Sequence, residues 1–215
     1  MKKLLFVCCG ALFAFEGSGS PLALVVLDPA KTVGKLPEGW ELKVNSGRPD
    51  VSTTTDGDAP VLRFKSVKSS FSLEKGVDID TAQMPYLAWR WKVTQLPKGG
   101  DFRHYATDDQ AAQVLVAFDD RHILSYIWDS TAPQGTMQNA SSLPLVHIYA
   151  IVCRSGASEE NLWLAETHNV AADYLKAFGK GTPHVKGLRL QINSQHTGSS
   201  AESYFADVAF HSTPQ

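Results

Sequence analysis

The segment GLRLQIN (187–193) alternates Leu188, Leu190 and Ile192 with Arg189, Gln191 and Asn193, a period of two that an extended strand lays out as one apolar and one wet face. The same period recurs along most of the chain, between Gly, Pro, Asn and Asp signals. It predicts strands over 40–44, 61–66, 71–73, 85–93, 113–118, 123–128, 145–153, 162–167, 187–192 and 203–210. Two of these, QVLVAF (113–118) and LVHIYAIVC (145–153), are apolar on both parities, which predicts central strands covered on both faces. One stretch departs from the rule. In HNVAADYLKAFGKG (168–181), Asn169 can cap a helix that carries Val170, Tyr174 and Phe178 on one face and ends at Gly179 or Gly181. A single helix does not build βαβ units, so the expected fold is all-β: an antiparallel two-sheet β-sandwich, jelly-roll-like, with one short α-helix.

The aromatic segment YLAWRWKV (86–93) follows the same parity argument. Leu87, Trp89, Trp91 and Val93 share one face and read as core, while Tyr86, Ala88, Arg90 and Lys92 share the face that meets solvent, a neighbouring acid or an anionic ligand.

Before this body of strands, Lys2 and Lys3 precede an uncharged apolar run from Leu4 to Phe15 and then small residues up to Ser20, the layout of an export signal. The expected organisation is a signal peptide over 1–20, cut somewhere between 17 and 23, and a single domain over 24–215, periplasmic or secreted, with no spanning segment in the mature protein. The chain carries 20 basic and 22 acidic residues with no basic run, so nucleic acid is not an expected partner. Cys8 and Cys9 fall in the leader, which leaves Cys153 without an intrachain disulfide partner and suited to the core. The seven histidines show neither His-x-x-x-His nor His-Glu-x-x-His spacing, and no Gly-x-Ser-x-Gly elbow, phosphate-binding loop or dinucleotide fingerprint is present. Zinc, serine-hydrolase and nucleotide chemistry are therefore not expected.

Six stretches, LPEGWE (36–41), PYLAWRWKVTQLPKGGD (85–101), DDQAAQVLVAF (108–118), LSYIWD (124–129), WLAETHNVAADYLKAFG (163–179) and HTGSSAESYFADVAF (196–210), together resemble a family of bacterial exported proteins, domain of unknown function 3047. The closing stretch is also similar to the last strand of galactose-binding-like jelly rolls, the fold of many carbohydrate-binding modules. That similarity implies a structural calcium at the Asp of Tyr-x-x-Asp-Val, here Asp207. The chain departs from the family pattern at His168, where relatives tend to have Arg, and at Asn193 and Gln195, where they tend to have acids.

Two polar clusters could carry chemistry. Asp101, Asp108 and Asp109 could supply calcium ligands or one half of an acid/base pair, unless Asp108 and Asp109 cap a turn or pair with Arg90 or Arg103. In the cluster Glu166, His168, Asn169 and Asp173, helix capping and the helix dipole account for Asn169 and Asp173, and the alternative is a ligand site. Asp108 or Asp109 with Glu166 would make the two carboxyl groups of a polysaccharide hydrolase or lyase, provided both face one groove. Tyr86, Tyr105, Tyr126 and Trp128 are candidate rings for a sugar to stack on, with ordinary sandwich core the alternative for Tyr126 and Trp128. The leading expectation is a noncatalytic module that binds a glycan or another envelope component through Tyr86, Arg90, Tyr126, Trp128, Glu166 and His168. The alternatives are the carboxylate enzyme and a structural, protein-binding envelope protein.

Overall fold

The computed structural model describes residues 23–29, 36–140, 145–179, 181 and 184–215, and the expected signal peptide lies outside them apart from its latest cleavage position. In chain order the elements are β1 (Ala23–Leu27), β2 (Glu41–Ser46), β3 (Val51–Asp56), β4 (Ala59–Val67), β5 (Ser70–Ile79), β6 (Tyr86–Gln95), β7 (Ala112–Ala117), β8 (His122–Asp129), β9 (Met137–Asn139), β10 (His147–Ser155), β11 (Leu164–Asn169), α1 (Val170–Phe178), β12 (Val185–Asn193) and β13 (Ser200–His211). One sheet runs β11-β6-β13-β4-β3, with β1 along the far half of β13, and the other runs β2-β5-β12-β7-β8-β10-β9. Successive strands from β4 to β7, and again from β11 to β13, alternate between the sheets, as in a jelly roll. One pair corrects the antiparallel expectation: β8 and β10 are parallel. The segment between them, with β9, carries the chain back to its starting end, which a tight hairpin cannot do.

Parity decides what the sheets bury. Leu87, Trp89, Trp91 and Val93 of β6 face Leu124, Tyr126 and Trp128 of β8 and Leu188, Leu190 and Ile192 of β12 across one core. Trp89 and Trp91 meet edge to face at 5.4 Å, and Trp91 reaches Trp128 at 6.0 Å. The strand over 51–56 was not expected from its threonines, but Gly57, at φ 61°, turns it into β4 through a two-residue loop.

The helix forms where its caps place it. Asn169 accepts a hydrogen bond from the Ala172 amide at 2.9 Å, and Gly179 takes the left-handed conformation that ends the last turn. Its buried Val170 and Tyr174 pack inward, with Tyr174 against Phe118 and Phe178 against Tyr149.

Candidate functional site

The outward parity of the seven-stranded sheet is where the fold leaves room. Register places Gly76, Gly187, Ala117 and Ile123 in one row across β5, β12, β7 and β8, and Glu74, Arg189, Leu115 and Ser125 in the next. The first row is low because two of its residues have no side chain. Three adjoining depressions follow from this floor: one over Gly76 and Gly187, one over Gln113, Gln191 and Ser125, and one beside Tyr105 and His196. The first two share Leu115 and Arg189, and the last two share Phe102, Asp108 and Ala140, so they form one groove. The expectation for QVLVAF holds at the outward Gln113 and Leu115, each only 5% exposed beneath the groove they line, whereas LVHIYAIVC is covered in part: its outward Ala150 and Val152 pack with Phe102 and Ala132 from loops while Leu145 is exposed.

A relay of amides crosses the groove. Gln191 Nε2 points to Gln113 Oε1 at 3.5 Å, Gln113 Nε2 donates to Asn193 Oδ1 at 2.6 Å, and Asn193 Nδ2 donates to the Asp108 carbonyl at 2.7 Å. Every donor runs the same way, which leaves Gln191 Oε1 buried and without a partner. Gln191 and Gln113 line the groove, so a hydroxyl that enters it meets their amides. At the far end Tyr105 is 74% exposed and packs on His196 at 4.9 Å, and His196 Nδ1 is also buried and unpartnered.

The wall at this end is pinned by carboxylates. Asp101 holds Arg103 through two hydrogen bonds, at 2.8 and 2.6 Å, and accepts from Thr131 Oγ1 of the neighbouring loop. Gly100 lies so close to the Asp109 carbonyl that a Cβ there would come within 2.3 Å of it, so only glycine fits. Asp129 accepts from the amides of Phe102, Thr131 and Ala132, and burial nevertheless pushes its carboxyl up from 3.8. Burial does the same to Asp108, which opens on the groove. Asp101 goes the other way, held at about 2 chiefly by the Arg103 hydrogen bonds. Because its folded value is depressed, its stabilisation is complete above the ordinary 3.8 and is lost as pH falls through about 2. Asp101→Asn is expected to lower the melting midpoint at neutral pH, and its difference from the wild type should shrink over that acid window. Comparing the two proteins cancels the opposite contribution of Asp108, and that of Asp129 except for the small part that the Asp101 charge itself adds. A difference independent of pH would mean that the Arg103 pair stabilises nothing through charge.

The structure separates the residues expected to act together. Tyr126 and Trp128 are fully buried in the core, where they donate to Asp173 and to the Gly156 carbonyl, so neither offers a face to a sugar. Their apolar parity, shared with Leu124, turned them inward. Asp109 is also fully buried, with its oxygens taken by the His196 and Thr197 amides and the Thr197 hydroxyl. Glu166 belongs to β11 in the other sheet, accepts from Trp91 Nε1 and Arg154 Nε, and does not line the groove with Asp108. Two carboxyl groups facing one groove are thus not formed by Asp108 or Asp109 with Glu166.

Tyr86 and Arg90 sit half-buried on the outer face of the six-stranded sheet. Arg90 pairs with Asp207 at 2.5 Å and lies over the Trp163 ring, and Lys92 reaches the same ring while bonding to Asp56. Asp207, in a bulge of β13 at φ 55°, therefore has its charge met by an arginine on the neighbouring strand. Of the residues named for ligands, Tyr105 and Asp108 reach the groove. Gln113, Gln191 and Arg189 were not singled out, although the wet parity of GLRLQIN had marked two of them as outward.

Residues 38–209 match the profile of a family described as a protein of unknown function, DUF3047. The chain belongs to that family. No curated protein matches it. Among solved structures it is similar to the xyloglucanase domain of NopAA, a type three effector from Sinorhizobium fredii, in complex with cellobiose. The TM-score is 0.51 at 8% identity, covering 88% of this chain and 100% of that one. It is also similar to the family 11 carbohydrate-binding module of the Clostridium thermocellum cellulase Lic26A-Cel5E (TM-score 0.45, 5% identity, 89% and 95% covered). A third is endoglucanase 3 of Trichoderma harzianum, from family GH12 (0.46, 10%, 93% and 100%). Likeness to the NopAA domain at this identity is a likeness of fold, the two-sheet sandwich.

Proposed function

We propose that this DUF3047 protein is exported to the periplasm or cell exterior and binds a glycan, without cleaving it, in the groove over its seven-stranded sheet. The observation that carries the reading is the amide relay of Gln191, Gln113 and Asn193 along the groove, next to the depression floored by Gly76, Gly187 and Ala117. Amides both donate to and accept from sugar hydroxyls, and a floor that is low at Gly76 and Gly187 admits a flat pyranose chain. Tyr105 at the groove end supplies an exposed ring for a sugar face. The shared fold with a domain crystallised with cellobiose supports a β-glucan as the first class to try. The export reading rests on Lys2, Lys3 and the apolar run that follows. The noncatalytic reading rests on carboxylate placement, since the other acid lining the groove, Glu74, is paired with Arg189 in a different depression from Asp108.

The test is the melting midpoint against cello-, xylogluco- and mixed-linkage oligosaccharides, with calcium and with chelator, followed by an assay for new reducing ends. One class is expected to raise the midpoint by roughly 5–10 °C at a hundredfold excess over its dissociation constant, with no reducing ends formed. No rise with any glycan would end the binding reading, and reducing ends would replace it with an enzyme. A rise that needs calcium would place an ion, at Asp207 or elsewhere, in the binding state.

A further inference from the structure

Between the sheets, away from the groove, three residues from different parts of the sequence converge. Cys153 on β10 faces inward from one sheet, and Glu166 and His168, two apart on β11, face it from the other. Cys153 Sγ lies 3.3 Å from His168 Nε2, and the sulfur, the ring nitrogen and a Glu166 oxygen all fall within 4.8 Å of one another. Tetrahedral zinc, with bonds of about 2.3 Å to sulfur and about 2.0 Å to nitrogen, sets those two atoms roughly 3.5 Å apart. The imidazole is already fixed for such a role. Its Nδ1 faces Asp173 Oδ2 at 3.4 Å, the carboxylate that also accepts from Tyr126, and its ring stacks on Trp89 at 5.5 Å. A carboxylate behind the noncoordinating nitrogen is the usual support of a metal-bound histidine.

Charge points the same way. Arg154 bonds to both Glu166 and Glu159, and a third carboxylate, Asp173, faces His168. Burial first, then Glu166 and Asp173, push the Cys153 thiol well up. We propose that Cys153, His168 and Glu166 bind one divalent cation of the zinc class, with Asp173 orienting the histidine. Binding forms the metal–sulfur bond and releases the thiol proton to solvent. Three protein ligands leave a fourth position for water or a small ligand. The way in is past His168, whose side chain is 22% exposed, whereas Cys153 is 6% exposed. The same burial disfavours the competing thiol nucleophile, because an acyl carbon has no approach to the sulfur.

The experiment uses the full chain, stripped with chelator and titrated with cobalt(II) as a spectroscopic stand-in for zinc, and then with zinc itself. A thiolate-to-cobalt charge-transfer band saturating at one equivalent is expected, together with tetrahedral visible bands that zinc abolishes. Zinc should raise the melting midpoint by roughly 5–10 °C at a hundredfold excess. Cys153→Ser, nearly isosteric, should melt like the stripped wild type and lose both the band and the rise. Glu166→Gln, which keeps an acceptor for Trp91, should weaken binding at least tenfold. No band in the wild type overturns the proposal. A band retained in Cys153→Ser does so too, by assigning the thiolate to Cys8 or Cys9. Alkylation of Cys153 that depends on His168, with no cobalt band, would overturn it in favour of a nucleophilic thiol.

Discussion

Trp91→Ala is expected to destabilise the protein by about 3–5 kcal/mol, the range for removing a buried indole from a packed core. For a domain of this size the melting midpoint should fall by roughly 10 °C. Trp91 is completely buried, packs between Trp89 and Trp128, and donates its indole N–H to Glu166 Oε1 at 3.2 Å. The substitution removes apolar area and opens a cavity that strands on both sides cannot close. It also takes a donor from a carboxylate that is itself only 10% exposed. Trp91→Phe restores most of the volume but not the donor, so it should recover more than half of the loss. Thermal and denaturant unfolding of the three proteins measure this. A Trp91→Ala midpoint within a degree or two of the wild type would mean that the two sheets do not close over this ring.

Gly187→Leu should weaken glycan binding at least 100-fold while leaving the melting midpoint of the free protein nearly unchanged. Most substitutions in a binding site confound lost contacts with lost stability, and this one does not. A Cβ at Gly187 would lie 3.7 Å from the Lys75 carbonyl and 3.8 Å from Ala117 Cβ, which are ordinary contacts, and no left-handed backbone stands in the way. A leucine there projects over Ala117 into the depression above Gly76 and occupies the space a sugar ring would need. Replacing a strand glycine also reduces the freedom of the unfolded chain, which offsets any small local strain. Calorimetric titration with the oligosaccharide that stabilises the wild type is the direct measurement. Unchanged affinity would place the ligand elsewhere and remove the groove from consideration.

How much of this was legible in the sequence depends on the range of the interaction involved. Parity is local. It placed Trp89 and Trp91 inside and Arg189 and Gln191 outside, because a strand's side chains alternate wherever the strand lies. The helix ends were equally local, since Asn169 and Gly179 act within one turn of themselves. Apolar character on both parities of β7 was a real signal with two causes, a third layer or an open apolar groove, and composition cannot tell them apart.

The sequence alone thus determined an all-β sandwich, its core parity and its one helix. Tertiary structure decided the rest: that Tyr126 and Trp128 close the core, that Asp108 and Glu166 serve different faces, that Gln191, Gln113 and Asn193 join into one relay, and that Cys153 meets His168. The physical reason is that a strand's pattern fixes which way each side chain points but not which strand lies beside or across from it. Pairing and sheet packing settle that through contacts between residues far apart in the chain.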